Sequence, residues 1–135
     1  MWNEGLTTSI RGDWKTPRAL YAQLVVEPKR FDVSDRHGGG FDALRDPWPI
    51  VWYANPPYGR EIATWVRLMP NKGPGVALLP ARTDTKWFHD YIYHRAEIVF
   101  LKGRLHFDDL GPAPFPSMLV YFGGLRPDVL SDWTI

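Results

Sequence analysis

The sequence contains no cysteine, which excludes disulfides and any thiolate metal site as supports for the fold. Charge of either sign is not in excess: the formal net charge is +1. The field over the whole protein is therefore weak, which argues against a duplex binder held by phosphate contacts alone. No apolar run reaches the roughly 20 residues that a membrane-spanning helix needs. The opening "MWNEGLTTSIRGDW" lacks the apolar centre of a secretory signal. Together these absences make a reducing cytoplasm the expected location, with no membrane partner. Internal repeats, low-complexity tracts and linkers are also missing. His37, His89, His94 and His106 show no metal-ligand spacing, and His89 and His94, five apart, do not share a helix face. No metal is expected.

What is present is a packed core. Hydrophobic residues make up 44% and aromatic residues 15% of 135 residues, so the chain can bury about two-thirds of its unfolded surface as one domain. Residues 1–12 read as a loose arm, 13–124 as the domain and 125–135 as a tail. In "DWKTPRALYAQLVVE" Thr16 can cap a helix, Pro17 suits its first position, and Pro28 ends the segment. "RFDVS" (30–34) is a short strand candidate that runs into the triple-glycine loop. "PIVWYA" (49–54) and "GVALLP" (75–80) are continuous apolar runs of the kind buried on both faces. Between them "REIATWVRLM" sets Ile62, Trp65, Val66 and Met69 at helical spacing. "TDTKWFHDYIYHRA" predicts a capped helix; "EIVFLKG", "RLHF" and "SMLVYFG" predict closing strands. This order predicts an α/β fold, a mostly parallel sheet with an antiparallel edge formed by C-terminal strands. In such sheets ligands lie beyond the carboxyl ends of the strands. The loops after Val33, Ala54 and Leu79 should therefore share one rim.

The loop after Ala54, "NPPYG", carries a specific chemistry. Pro56 and Pro57 have carbonyls but no N–H, so the segment offers acceptors with few competing donors. A proline after a proline confines the first to extended geometry and fixes the carbonyl directions. The Asn55 side-chain oxygen and the Pro56 carbonyl could each take one hydrogen of an exocyclic amine. Tyr58 offers a flat face for the attached base, and Gly59 lets the chain turn closely. Such an amine is a poor nucleophile because its lone pair is delocalised into the ring. Two acceptors that draw it out of plane restore the lone pair and aim it at an electrophile, so catalysis becomes positioning and electrostatics. The bland alternative is a tight turn, since all five residues favour turns.

Six ordered blocks, "DWKTP", "FDV", "NPPYGREIATWV", "LLPARTDTKWFHD", "FLKGRLHF" and "APFPSMLVYF", resemble the phage-type DNA N6-adenine methyltransferases over most of the chain. The resemblance implies a minimal, single-domain Rossmann-like methyltransferase fold that uses S-adenosylmethionine and acts on DNA. It implies that Asn55, Pro56, Pro57 and Tyr58 form the catalytic loop. Thr16 and Pro17 would lie against the methionine end of the cofactor, where a hydroxyl and a helix N-terminus suit a carboxylate; an ordinary helix cap is the alternative. Asp32 would hold ribose hydroxyls or the methionine ammonium, and Asp42 would lie near the cofactor's adenine. Either could instead be a turn carboxylate or helix cap. Arg82 would meet the DNA backbone or the cofactor, or else a surface ion pair. Arg104 would touch nucleic acid, or else pair structurally. Trp52 and Trp65 are expected to flank and support the loop.

The chain departs from the family in its short connection from Asp32 through "VSDRHGGG" to Asp42. That removes part of the wall around the cofactor's ribose and adenine. Two alternatives stay open. One keeps the chemistry with another acceptor: cytosine N4, RNA adenine or a protein glutamine. The other is a non-catalytic nucleic-acid or cofactor-binding module of the same fold.

Overall fold

A computed structural model describes residues 15–24, 31–33, 40–107 and 111–125. The expected arm, the end of the first helix at Pro28, most of the glycine loop and all but the first residue of the tail lie outside the described residues. Among the described residues the elements are α1 (Arg18–Leu24), β1 (Phe31–Asp32), β2 (Trp52–Ala54), α2 (Ile62–Leu68), a 3-10 turn (Met69–Asn71), β3 (Gly75–Pro80), α3 (Lys86–Tyr91), β4 (Glu97–Phe100), β5 (His106–Phe107), β6 (Gly111–Pro112) and β7 (Ser117–Phe122).

Five of the strands form one mixed sheet in the order β1-β2-β3-β7-β4. β1, β2 and β3 are parallel neighbours, while β7 is antiparallel to both β3 and β4. The α/β class and the parallel first strands are as expected, and these three strands end on one rim. The antiparallel strand is not at the edge, however. β7 lies inside the sheet between β3 and β4, because its six residues are buried on both faces and need a neighbour on each side. "RLHF" gives only β5, which pairs with Gly111–Pro112 in a separate two-stranded ribbon.

Residues at facing register positions explain the packing. Trp52, Gly75 and Phe122 stand side by side across β2, β3 and β7. A Cβ at Gly75 would fall inside the Trp52 indole, so glycine there lets that ring lie flat toward Phe122, 5.9 Å away. The Trp52 indole donates to the Lys72 carbonyl at 3.2 Å, and Trp48 stands edge-on to it at 4.8 Å. This corrects the expectation for Trp52: it braces the entry end of β2, not the loop at its exit. On α2, Ile62, Trp65 and Val66 turn into the core, as their spacing predicts.

Helix α3 is shorter than expected and stops at Tyr91. Its start is capped as the sequence implies: Thr85 Oγ accepts from Phe88 N at 3.2 Å. The same hydroxyl donates to Arg82 O at 2.8 Å, tying the helix to the loop after β3. Thr85→Ala is expected to destabilise the protein by about 1 kcal/mol, read as a lower midpoint in thermal unfolding.

Candidate active site

Asn55 follows directly on the carboxyl end of β2, a strand with all three residues buried. Pro56 is buried and Pro57 half-buried, so the bend is packed and not free to wander. Gly59 holds φ at +105°, a left-handed angle that strains any residue with a Cβ. Its carbonyl then accepts from Ile62 N at 3.4 Å, and the Glu61 carbonyl from Thr64 and Trp65 N, which launches α2. The bend is thus held between a buried strand and a helix that buries one face, Ile62, Trp65 and Val66. The Asn55 side-chain oxygen lies within it, closed to bulk solvent.

Tyr58 differs from expectation. Its side chain is 5% exposed, and its ring meets the edge of Phe115 at 5.3 Å and 72°. Its hydroxyl donates to the Leu78 carbonyl at a long 3.4 Å. The ring is therefore covered in this conformation and not displayed on the rim. Burial pushes the phenol far above its usual pKa, with the Arg82 guanidinium opposing. A phenol held neutral in this way is not a general base.

Arg82 is brought to the same place. Its guanidinium carbon stands 6.0 Å from the Phe115 ring centre, and its backbone N–H donates to Pro80 O at 2.8 Å. Arg104 is not on this rim as a free cation: it is exposed and donates to the Ala113 carbonyl at 3.4 Å, bracing the proline-rich loop. Of the two readings open for Arg104, this bond describes the structural one.

The expected cofactor residues divide. Thr16 Oγ1 lies 2.6 Å from the Tyr53 hydroxyl, and Pro17, buried, accepts the first helical bond of α1 from Tyr21 N at 2.9 Å. Asp32 ends β1 directly opposite Tyr53. Asp32 and Thr16 are thus both neighbours of one tyrosine. Asp42 lies in a tight turn: its carboxylate accepts from Leu44 N at 3.0 Å, and its own N–H donates to Asp46 at 2.7 Å. Those bonds describe a turn carboxylate.

Sequence reasoning missed two residues. Tyr53 orients Thr16, and its only signal was its place one residue before the strand end. Phe115 covers Tyr58, and its signal was an aromatic set between Pro114 and Pro116 ahead of a buried strand. A cavity of about 440 Å³ at the opposite rim, bounded by His94, Arg95, Glu97 and Tyr121, shares none of these residues. Among the described residues no group of three or more His, Cys, Asp or Glu could hold a metal, and no helix is long and apolar enough to cross a membrane.

No protein-family model, curated protein or solved structure matches this chain. What fold and rim define is a class: an α/β protein with a mixed sheet, whose acceptor-rich bend leaves the end of a buried parallel strand.

Proposed function

We propose that the chain is a minimal Rossmann-like methyltransferase that moves a methyl group from S-adenosylmethionine to the N6 amine of an adenine in DNA. The observation that carries this reading is the bend itself: Asn55-Pro56-Pro57-Tyr58, packed at the exit of β2 and turned by Gly59 at φ +105°. Asn55 Oδ1 and the Pro56 carbonyl accept the two amine hydrogens and draw the nitrogen toward a tetrahedral shape. Once methylated the nitrogen is strongly acidic and would pass its proton to water, so the neutral Tyr58 phenol is no obstacle.

The residues nearby fit the cofactor. The Thr16 and Tyr53 hydroxyls share a hydrogen bond at 2.6 Å in which either can donate; a phenol is the stronger acid, which favours Tyr53 as donor. The Thr16 hydrogen then remains for an anionic acceptor such as a carboxylate. Asp32, one strand from that pair, supplies the carboxylate for ribose hydroxyls or an ammonium. When bound, the cofactor supplies an electrophilic methyl on a sulfonium. Arg82 and the exposed Arg60 beside the loop would meet backbone phosphates. Extracting a paired adenine costs a few kcal/mol, which stacking on Tyr58, roughly 1–3 kcal/mol, offsets in part.

Titration calorimetry with S-adenosylmethionine is expected to give binding in the micromolar range. No heat at high micromolar cofactor would favour a non-catalytic module, the reading that β1, a two-residue edge strand, keeps in play. Replacing Tyr58 by Phe should leave substrate KM within a fewfold, while Ala raises it by roughly tenfold or more. Equal damage from both would remove stacking as the role of Tyr58.

A further inference from the structure

The cover on Tyr58 bears on which adenines the site accepts. Phe115 is itself only 6% exposed. Among the described residues its ring meets Tyr58 at 5.3 Å, Phe107 at 6.2 Å and the Arg82 guanidinium at 6.0 Å. The backbone around it is pinned on both sides. Ala113 N donates to Leu105 O at 2.8 Å, Ala81 N donates to Pro116 O at 2.8 Å, and Arg104 holds the Ala113 carbonyl. Pro114 and Pro116 further restrict φ. With its backbone held on both sides, the part of this cover left to move is the Phe115 side chain. Of these neighbours Arg82 carries a charge, and it is half-exposed at the rim.

We infer that Phe115 is a specificity-determining residue that makes the Tyr58 face accept a base carried on a phosphate chain and refuse a free nucleoside. This rests on the proposed transfer to a nucleic-acid base. A phosphate near the rim attracts the Arg82 guanidinium and weakens its hold on the Phe115 ring. The ring turns out, and the attached base takes its place on Tyr58. A free adenosine brings the competing aromatic face but no phosphate, so it must displace Phe115 with Arg82 still in position. Nucleosides and cofactor fragments are thereby kept off the bend, while a strand opens it.

The test compares the purified chain with Phe115→Ala, Phe115→Leu and Arg82→Gln. Each is titrated with adenosine and with a fluorescent single-stranded pentanucleotide holding one adenine among thymines. Wild type is expected to prefer the oligonucleotide strongly. Phe115→Ala should raise adenosine affinity roughly 2- to 10-fold, the worth of an aromatic pair, and shrink the preference by a similar factor. Phe115→Leu, which fills more of the space, should do so less. Arg82→Gln should weaken the oligonucleotide and, by loosening Phe115, strengthen adenosine. If Phe115→Ala weakens adenosine and oligonucleotide alike, the ring is a wall of the base site and the inference fails.

A second readout needs no methyl transfer. Nitration by tetranitromethane, mapped by peptide mass, should spare Tyr58 in wild type, modify it in Phe115→Ala with native circular dichroism, and modify it less in Phe115→Leu. An inert Tyr58 in Phe115→Ala overturns the covering role. Absent methyl transfer with Tyr58 freed would sink the proposed function alone and leave the covering role standing.

Discussion

Asn55→Ala is expected to lower methyl transfer by roughly 10²- to 10³-fold in kcat, the scale on which removing one preorganised hydrogen-bonding group acts. It deletes one of the two proposed acceptors for the amine and leaves the other, so on that reading a residual rate from the Pro56 carbonyl and from proximity should persist. The fold should survive. Asn55 stands just outside β2, and the strand's three buried residues, Trp52, Tyr53 and Ala54, are untouched. Cofactor affinity should stay within a fewfold of wild type, because the Thr16–Tyr53 contact and Asp32 lie on the neighbouring part of the rim. Stopped-time assays at saturating cofactor, with calorimetry on the same preparation, separate the two effects. Asn55→Asp keeps an acceptor but adds charge, and its rate should fall between those of wild type and Asn55→Ala. An Asn55→Ala enzyme that turns over at near the native rate would show that the amine is gripped by something else.

The second large effect is on stability. Gly75→Ala should destabilise the protein by about 3 kcal/mol, lowering the thermal midpoint by on the order of 10 °C. The added methyl would stand inside the Trp52 indole, which is fully buried and held by its bond to the Lys72 carbonyl. The ring has nowhere to go, since Trp48 abuts one side at 4.8 Å and Phe122 another at 5.9 Å. Trp52→Leu also destabilises, by leaving a void. Combined, the two should be less harmful than their sum, because the methyl then enters space the indole has vacated. A double-mutant cycle with no such coupling would contradict the account of why residue 75 lacks a side chain.

These two positions also mark where the sequence was legible. β3 runs from Gly75 to Pro80 as its apolar run implies, because a strand buried on both faces needs no alternation to be recognised. β2 begins later than that rule suggests: Ile50 is 85% exposed, so its apolarity signals nothing about burial. α3 keeps a helical pattern past Tyr91, yet the backbone turns away, and His94 adopts φ +64°. No glycine announced that turn. The placing of β7 between β3 and β4 depends on pairing across the chain, which local periodicity does not encode. In the site, the Asn55–Gly59 bend was readable because proline and glycine carry their geometry with them. The cover on Tyr58 was not, since it arises when a loop far along the chain folds back and sets Phe115 on the ring. Asp42 could be read as a cofactor ligand or a turn carboxylate, and its bonds to Leu44 N and Asp46 are those of a turn, a distinction that residue type alone does not make.

One assay tests methyl transfer to adenine most directly. The purified chain is incubated with S-adenosylmethionine labelled in its methyl group and a mixture of single-stranded DNA, duplex DNA and RNA, and each polymer is then digested to nucleosides. Label is predicted in N6-methyldeoxyadenosine from DNA and at background in every other nucleoside. Label in a cytosine or in RNA adenosine, or none in any polymer despite measurable cofactor binding, would contradict it.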